Sequence, residues 1–380
     1  MKNLLISSDF PPVLGGIATV FYHIWKYLPQ EFILLVPRAR QSRHWDATLG
    51  MRVFRARVPL GDNIFKKLLR AFVLFVYTLV IVRRERVSYI QAGQPIIPGV
   101  IALFLKKAFK IRFNVWVYGG EIVKYQNRKF LFRVLLWVLK EADMVIANSE
   151  FTREVYVRLG ISGNKIFKIS PAVDADMFKP GLDTRALAAR YNLGSKKVIL
   201  TVARLSERKG HDAVIKALSR LKERFPELVY LVVGTGPDET RLKALCAESS
   251  LLDRVIFCGA VRDEELPLFY NLCDVYVMPN REVKGIDTLE GFGLSFIEAS
   301  ACGKAVIGGR SGGSSEAVAD GITGYLVEPL SVDELEAKIA LFLSDPDLNQ
   351  RMGLEGRKRA IAEFQWQARA AALKELLSKT

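Results

Sequence analysis

The chain has 380 residues, half of them hydrophobic and a quarter charged, and this composition excludes an intrinsically disordered protein. Lysine and arginine number 55 against 40 aspartates and glutamates, so the formal net charge is +15. Such an excess usually accompanies a polyanionic partner, which can be nucleic acid, an anionic membrane or a phosphorylated ligand. At about 150 residues per domain, the length corresponds to two domains or three.

The basic charge is confined to the first half of the chain. Residues 1–170 hold 27 basic and 10 acidic side chains, a net charge of +17. Residues 171–380 hold 28 basic and 30 acidic side chains, a net charge of −2. We therefore expect the two halves to meet different partners.

The cysteines and the apolar runs disfavour a secreted protein with disulfide bonds and an integral membrane protein. The four cysteines include no C-x-x-C pair, and we expect buried free thiols in a reducing cytosol. Leu4–Ile6 is too short for the core of a signal peptide. The longest uncharged apolar run, 71–82, has 12 residues, whereas a spanning helix needs about 20. The sequence predicts a cytoplasmic protein that is not integral to a membrane.

Short β-rich runs alternate with longer helical segments through the first half. The predicted strands are Leu4–Ser8, Phe32–Pro37, Met51–Arg57, Tyr89–Ala92, Arg112–Tyr118 and Met144–Asn148. This alternation predicts a parallel sheet with helices on both faces. Residues 171–182, with two prolines and no apolar periodicity, read as a linker.

A second alternating series follows the linker. Its predicted strands are Val198–Ala203, Val229–Gly234, Val255–Gly259, Val275–Pro279, Ala305–Gly308 and Tyr325–Val327. We therefore predict an α/β protein with two tandem Rossmann-like domains, 1–176 and 177–362, each a doubly wound parallel sheet. Ligands of such sheets bind outside the carboxyl ends of the strands, so two such domains facing a cleft suit a reaction with two substrates.

The strongest chemical signal is the segment LEGFGLSFIEASACG at 289–303, in which Glu290 and Glu298 stand eight positions apart. Its glycines allow a close backbone approach, and the exposed amides of the helix that follows form an anion site. A diphosphate fits there, with Glu298 accepting hydrogen bonds from ribose hydroxyls and Glu290 from sugar hydroxyls. The alternative is an acid near a favourable helix dipole and an ordinary helical glutamate. The glycines and the preceding strand favour the ligand site.

A basic loop, Arg204–Gly210, follows the strand Val198–Ala203. Two cations on one such loop, Arg204 and Lys209, suit the negative charge that develops on a leaving diphosphate. A solvated basic turn is the alternative, and we assign Arg208 to that alternative.

Glycine-rich loops follow three other strands. Gly15 and Gly16 resemble a dinucleotide loop but lack G-x-G-x-x-G, so a nicotinamide site is weakly supported. They either let a sugar or phosphate approach the backbone or form a plain tight turn, and their spacing favours neither interpretation. Gly234, in the segment 234–237, is a candidate for lining the nucleotide, and 311–316 opens a short helix on the same side.

Several common sites have no counterpart in the sequence. It contains no G-x-x-x-x-G-K-[ST] phosphate loop and no G-x-S-x-G nucleophile motif. The three histidines lack the spacing of zinc ligands. The D-x-D at 174–176 lies in the linker, and we interpret it as a chance match. These residues therefore support no zinc site and no cofactor site.

Together these residues resemble a retaining glycosyltransferase of family 4 with the GT-B fold. The resemblance rests on the E-x7-E element Glu290…Glu298 and on the Arg204/Lys209 pair. Supporting segments stand at 169–178, 233–237, 257–261 and 312–329. The resemblance covers nearly the whole chain, but it is dense only from 169 to 329 and thin before 115.

The resemblance implies a hexosyltransferase that takes a nucleotide-diphosphate sugar on the second domain and an acceptor on the first. It implies that Arg204 and Lys209 hold the diphosphate, and that Glu290 contacts the sugar and Glu298 the ribose. It also implies a metal-free reaction and a last helix, 363–380, that crosses back to the first domain. Further implied donor contacts are Phe292, Gly293, Leu294, Ala260 and Val261.

Two departures from the family pattern stand out. Many relatives carry a histidine where this chain has Tyr118, in the segment Tyr118-Gly119-Gly120-Glu121. A histidine-assisted step is therefore in doubt, and Tyr118 either bonds the sugar or packs in the core. We count Gly15, Gly16, Tyr118 and Gly119 on the acceptor side. The junction P-A-V-D at 171–174 replaces the usual P-x-G-V-D, a small local change.

Three basic clusters border apolar helices in the first half. They are Lys66, Lys67 and Arg70 with Arg83 and Arg84; Lys106, Lys107, Lys110 and Arg112; and Arg128 with Lys129. Such a pattern suits an anionic membrane surface, although a buried helix with basic ends explains 71–82 equally well. We expect a peripheral protein at the inner face of the cell membrane. Nucleic acid is disfavoured because the aromatic residues lie in apolar helices and strands.

The predicted function is transfer of a hexose to a lipid-linked or cell-envelope glycan acceptor, such as a growing lipopolysaccharide. The polar segment 281–293 resembles mannosyltransferases that use GDP-mannose. One alternative is a GT-B nucleotide-sugar epimerase, which would need acid/base residues that this chain does not show. The other is a non-catalytic nucleotide-sugar or membrane-binding module, which the complete set of Glu290, Glu298, Arg204 and Lys209 disfavours.

Overall fold

A computed structural model describes residues 2–13, 15–40, 42–59, 61, 63–283 and 290–379. The chain divides into two compact units, the first made of Met1–Pro171 with Trp366–Thr380 and the second of Ala172–Gln365. The predicted boundaries at 176 and 362 lie within five residues of these. The first and last segments of the second unit are joined by a hydrogen bond, which the amide of Val173 donates to the carbonyl of Phe364 at 3.0 Å.

The first unit contains a seven-stranded parallel sheet in the order β3-β2-β1-β4-β5-β6-β7. Its strands are β1 (Asn3–Ile6), β2 (Phe32–Pro37), β3 (Val53–Ala56), β4 (Tyr89–Ala92), β5 (Arg112–Val117), β6 (Met144–Ala147) and β7 (Ile166–Lys168). The central strands are buried along their whole length, as expected of a parallel sheet covered by helices on both faces. The strand order reverses between β1 and β4, so this sheet's ligand-binding switch point lies there.

Helices connect these strands and cover the sheet. They are α1 (Gly16–Lys26), α2 (Ser42–Ala47), α3 (Ile64–Glu85), α4 (Ile97–Phe109), α5 (Gly120–Gln126), α6 (Lys129–Glu141) and α7 (Glu150–Arg158). Asn63 caps the start of α3 by accepting a hydrogen bond from the amide of Lys66 at 2.8 Å. Ser149 caps α7 in the same way through the amide of Thr152.

The second unit contains a six-stranded parallel sheet in the order β10-β9-β8-β11-β12-β13. Its strands are β8 (Lys197–Val202), β9 (Leu228–Val233), β10 (Val255–Gly259), β11 (Val275–Met278), β12 (Val306–Gly309) and β13 (Gly324–Val327). The order reverses between β8 and β11, which pair in parallel. The switch point of this sheet therefore lies between the loops that follow β8 and β11.

The remaining helices lie after residue 184. They are α8 (Arg185–Arg190), α9 (His211–Leu221), α10 (Glu239–Glu248), α11 (Leu266–Leu272), α12 (Leu294–Ala301), α13 (Ser314–Ala317), α14 (Val332–Ser344), α15 (Pro346–Glu363) and α16 (Trp366–Ser378). The last helix belongs to the first unit. There the ring of Trp366 stacks on His23 of α1, with centroids 5.0 Å apart.

Each strand predicted from the sequence is present, with ends within two residues of the expected positions. The edge strand β7 was not predicted. It has three residues, of which Ile166 alone is fully buried, so it has almost no apolar pattern of its own. The four cysteines are unpaired, and all except the half-buried Cys258 are buried.

Candidate functional site

The loops after β8 and β11 bring together the charged residues that the sequence singled out. Lys209 lies in a short 3-10 turn, Glu207–Lys209, which follows β8 and precedes α9. Glu290 lies between β11 and α12. Since β8 and β11 are neighbours in a parallel sheet, their carboxyl ends open on the same edge. The two loops therefore meet at the switch point.

Glu290 is the centre of a compact ion-pair cluster. One of its carboxylate oxygens, Oε2, accepts hydrogen bonds from Nζ of Lys209 and from the guanidinium of Arg208, the latter at 3.0 Å. The side chains of Lys209 and Glu290 are each 11% exposed. Glu290, predicted to contact the sugar, and Lys209, predicted to contact the diphosphate, are thus bonded to each other.

The electrostatic balance keeps Glu290 ionised. Burial acts to raise the pKa of its carboxyl, but the positive charges of Lys209 and Arg208 outweigh that effect and lower the pKa below its usual value. The carboxylate therefore remains a strong hydrogen-bond acceptor at neutral pH, able to hold sugar hydroxyls.

The prediction that Arg208 is a solvated basic residue is wrong. Its side chain is 26% exposed and bonds Glu290, because the tight turn at 207–209 directs two successive cations toward the same carboxylate. Arg204 instead is exposed and forms no ion pair with the described part of the chain. The geometry thus leaves Arg204 free to meet a ligand, and its role in holding a diphosphate stays a prediction.

The start of α12 lies directly after Glu290. Gly293, with a φ of +96°, precedes the helix, whose first residue is Leu294. Phe292 is buried, with its ring 5.7 Å from that of Phe364. Among the described residues no side chain caps the first turn of α12. The amide of Phe296 donates to the carbonyl of Gly293, and the amides of Leu294 and Ser295 before it are in position to meet an anion.

A glycine lets a neighbouring loop pack against the backbone of Glu290. Gly312 has a φ of +62°, and a Cβ placed there would lie 2.3 Å from the carbonyl oxygen of Glu290. The amide of Gly313 donates to that same carbonyl at 2.8 Å. The loop before α13 therefore fixes the backbone that carries the carboxylate of Glu290.

Glu298 lies one turn further along α12. Its Oε2 accepts a hydrogen bond from the hydroxyl of Tyr270 on α11 at 2.7 Å. Burial raises the pKa of Glu298 to about 7. The two glutamates of the motif therefore differ in their surroundings, since Glu290 is bonded by two cations, whereas Glu298 is bonded by a neutral hydroxyl and interacts with the like charge of Asp263.

The remaining predicted donor contacts follow β9 and β10. Gly234 has a φ of +131°, and a Cβ there would lie 2.0 Å from the carbonyl oxygen of Ala203. A glycine is therefore required for the loop after β9 to pass close to the loop after β8. Ala260 and Val261 follow β10 directly, and Ala260 is exposed.

The predicted acceptor-side residues lie in loops at the carboxyl ends of strands β1 and β5 of the first sheet. Gly15 precedes α1 with a φ of +147°, and its Cα faces open space. Gly119 precedes α5 with a φ of +89°. Tyr118 is buried, its ring meets Phe21 edge to face, and its hydroxyl has no hydrogen-bond partner among the described residues. Tyr118 therefore packs in the core, one of the two alternatives expected for it, and a bond from its buried hydroxyl to a sugar stays a prediction.

Several residues at these edges were missed from the sequence. Asp9, after β1, accepts a hydrogen bond at 2.8 Å from Nε2, the side-chain amide nitrogen, of Gln94, which follows β4. This pair spans the switch point of the first sheet. In the second unit, Arg281 donates to Asp212 at 2.9 Å, and its amide donates to the carbonyl of Arg208. Single polar residues in loops carry no periodicity, so their pairing is visible only in three dimensions.

Two other expectations concern the linker and the segment before Glu290. Asp174 accepts hydrogen bonds from the amides of Asp176 and Met177, each at 3.1 Å, which is a turn-forming role. The described residues contain no group of three or more histidine, cysteine or acidic side chains placed to hold a metal ion. Residues 284–289, part of the segment that resembles GDP-mannose enzymes, lie outside the described residues.

Comparison with known proteins identifies the family. The model for glycosyl transferases group 1 matches residues 184–359, and the model for glycosyltransferase family 4 matches residues 14–177. A GDP-mannose-dependent alpha-(1-6)-phosphatidylinositol monomannoside mannosyltransferase of Mycolicibacterium smegmatis is 31% identical, over 99% of this chain and 98% of its own length. Its counterpart in Mycobacterium tuberculosis is 36% identical, with the same coverage.

Solved structures share the fold over the full length. Anabaena HepE in complex with UDP superimposes with a TM-score of 0.84 at 20% identity and covers 100% of both chains. The sucrose-phosphate synthase of Thermosynechococcus elongatus reaches 0.84 at 24% identity, over 99% of this chain and 98% of its own. Two Rossmann-like parallel-sheet domains of this kind define the GT-B fold, as the sequence predicted.

The protein is therefore a hexosyltransferase with the GT-B fold. It belongs to glycosyltransferase family 4, with a second domain of the group 1 type, and the predicted family and enzyme class are confirmed.

Proposed function

We propose that the chain is a retaining mannosyltransferase that moves mannose from GDP-mannose to a mannosylated phosphatidylinositol at the inner face of the cell membrane. The observation that carries the proposal is the buried contact of Lys209 and Arg208 with Glu290 at the second switch point. The full-length similarity to two GDP-mannose-dependent phosphatidylinositol monomannoside mannosyltransferases supports the choice of sugar and acceptor.

The reaction follows from the charges at this site. The donor's diphosphate binds beside Lys209, Arg208 and Arg204, and their cations stabilise the negative charge that grows as the bond from C1 to phosphate oxygen breaks. Glu290 holds the mannose hydroxyls. The acceptor hydroxyl attacks C1 from the face that the diphosphate leaves, so the configuration is retained, and its proton passes to the departing phosphate.

The cations of the loop after β8 supply the charge that a divalent metal supplies in other transferases. We therefore propose that transfer needs no metal ion. A rate unchanged by a chelator, measured with the metal-stripped enzyme, is the expected result, and recovery of activity only on adding Mg²⁺ or Mn²⁺ contradicts it.

The first unit is proposed to bind the lipid acceptor at a membrane surface, through the outer stripe of α3. Phe65 and Phe72 on that stripe are 78% and 63% exposed, and Leu68, Leu69, Val76 and Val80 continue it at helical spacing. On the opposite side of the helix, Leu74, Thr78 and Ile81 are buried. An apolar outer face on a helix that already has a buried face suits insertion into lipid.

The cations around this stripe are not all equally available to a membrane. Lys106 and Lys107 form ion pairs with Asp143 and Glu141, so this predicted cluster is partly neutralised within the protein. Lys66 and Arg83 are exposed beside or along α3, and Arg84 is exposed although its Nε lies 3.8 Å from a carboxylate oxygen of Glu85. An unpaired cation contributes about 1 kcal/mol near an anionic surface. Among the described residues, no helix combines the length and the apolar character that crossing a bilayer requires.

Two measurements test the proposed donor and the proposed acceptor. A thermal-shift series with GDP, UDP, ADP and dTDP is expected to show the largest stabilisation with GDP, since a ligand at one hundred times its Kd adds about 2.7 kcal/mol. Transfer is then followed from GDP-[¹⁴C]mannose to vesicles containing phosphatidylinositol mannoside or to lipopolysaccharide. Label in the phosphatidylinositol mannoside, with α configuration at the new bond, is the expected result. Stabilisation by UDP rather than GDP, or label in lipopolysaccharide alone, overturns the proposed donor or acceptor.

A further inference from the structure

The hydroxyl of Tyr270 bonds Glu298, the second glutamate of the motif, through one carboxylate oxygen. It donates to Oε2 of Glu298 at 2.7 Å. The bond from Tyr270 is the hydrogen bond that the described residues make to this side chain, so Oε1 has no such partner among them, and Glu298 is half-buried. One oxygen is therefore held by the protein, and the other is left for a ligand.

The ring of Tyr270 is fixed by aromatic neighbours on two sides. Phe178 packs edge to face against it, with centroids 5.9 Å apart, and Tyr276 of β11 lies 5.7 Å away. The ring is fully buried. Because its neighbours restrict its rotation, its hydroxyl presents the hydrogen bond to Glu298 from a constant direction.

We propose that Tyr270 is a positioning residue for the donor, holding one oxygen of Glu298 so that the other accepts hydrogen bonds from the ribose hydroxyls. This inference rests on the proposed role of Glu298 as the ribose ligand of the nucleotide sugar. Tyr270 itself contacts no substrate in this account. It acts through the orientation and the ionisation of the glutamate.

The groups around Glu298 make its ionisation sensitive to that bond. Burial raises the pKa of Glu298 to about 7, the bond from Tyr270 lowers it, and Asp263 before α11 raises it. Tyr276 of β11 and Cys302 after α12 also interact electrostatically with Glu298. Arg357 of α15 binds the carbonyl of Ala301 at 2.7 Å rather than Glu298.

The sign of the expected effect follows from the charge. An ionised carboxylate accepts stronger hydrogen bonds from hydroxyls than its protonated form does, so donor affinity is full above the pKa of Glu298 and falls below it. Replacing Tyr270 by phenylalanine removes an influence that lowers this pKa. The pH at which the affinity begins to fall therefore moves upward.

The test is isothermal titration of the full chain with GDP-mannose, whose diphosphate diester does not titrate near neutrality. Wild type, Tyr270→Phe and Glu298→Gln are compared between about pH 5.5 and 8.5, with a limiting slope of about tenfold in Kd per pH unit. Tyr230→Phe is the matched control, since it deletes another buried hydroxyl, one that donates to Thr201. If wild type binds another nucleotide sugar instead, that sugar replaces GDP-mannose.

The expected result is a midpoint near pH 7 for wild type and for Tyr230→Phe, and a higher midpoint for Tyr270→Phe. The Tyr270→Phe variant then binds several-fold more weakly at pH 7 and approaches wild type at the alkaline limit. Glu298→Gln binds weakly with no midpoint. A common midpoint for wild type and Tyr270→Phe overturns the inference and leaves the proposed function standing. Binding of no nucleotide sugar by wild type overturns both.

A second variant keeps the inference testable if Tyr270→Phe does not fold. Asp263→Asn removes the charge that raises the pKa of Glu298 and leaves the tyrosine bond in place. Its midpoint is expected to move to lower pH. A midpoint that stays at the wild-type value shows that the ionisation of Glu298 does not control donor binding, which contradicts the inference.

Discussion

Lys209 and Glu290 lie 81 residues apart in the sequence and form a buried ion pair in the structure. Each comes from a loop that follows one of two adjacent parallel strands, β8 and β11. The pair therefore depends on the strand order reversing at this point, which brings the two loops together. A buried charge pair is costly to assemble, and under the proposed function it places the residue for the diphosphate beside the residue for the sugar before any substrate arrives.

Replacing Lys209 by alanine is expected to reduce transfer by about 100-fold or more, because it removes a cation that we propose stabilises the leaving diphosphate. Glu290 retains its bond from Arg208 at 3.0 Å, so the carboxylate keeps a partner and the fold persists. Initial rates are measured with saturating donor, and circular dichroism monitors folding. The control is Lys358→Ala, which breaks an exposed ion pair with Glu355. A Lys209→Ala enzyme with wild-type activity removes Lys209 from the diphosphate site.

Arg204 and Arg208 should give different signatures when each is replaced by alanine. Arg208 bonds Glu290, so its loss lowers both the melting temperature and the rate. Arg204 is exposed and forms no ion pair with the described residues, so its loss raises the KM for the donor and leaves the melting temperature unchanged. Donor titrations and thermal melts of both variants separate these effects. An unchanged donor KM for Arg204→Ala shows that this arginine does not hold the diphosphate.

The sequence reveals the two sheets well because strands of a parallel sheet are buried apolar runs. All six predicted strands of the second unit are found, and they place the E-x7-E segment and the basic loop on the same sheet edge. β7 escaped prediction because three residues with a single buried side chain, Ile166, carry too short a pattern.

The site was only partly predictable for a related reason. Glu290 and Glu298 were identified because their glycines and the helix that follows form a local pattern. The contact of Arg208 with Glu290 and that of Gln94 with Asp9 depend on which loops the fold brings together. The sequence of a basic loop shows its total charge, but it does not show where each side chain points. Arg208 was therefore assigned to solvent although it bonds the carboxylate of Glu290.

Gly312→Ala is expected to destabilise the second unit by about 2 kcal/mol or more and to lower transfer sharply. A left-handed backbone costs a non-glycine residue roughly 1–2 kcal/mol, and the added Cβ would lie 2.3 Å from the carbonyl oxygen of Glu290. Gly321→Ala is the matched control. Its φ of +76° imposes the same backbone cost, but nothing lies within 4 Å of its Cβ. Thermal melts and transfer rates of both are compared, and equal loss of activity in the two variants would rule out the contact with Glu290 as the cause.

The double change Phe65→Ser and Phe72→Ser is expected to abolish most binding to anionic vesicles while the fold is retained. Both rings are largely exposed on the outer stripe of α3, so their loss removes little from the core but takes away the groups that enter the lipid. Flotation with vesicles of phosphatidylglycerol and phosphatidylcholine, at low and high salt, measures the binding. Leu354→Ser, which removes an apolar side chain 51% exposed on α15, is the control in the other unit. Binding lost equally by that control, or unchanged in the double variant, would show that α3 is not the membrane-contacting surface, and a membrane role would then rest on the cations alone.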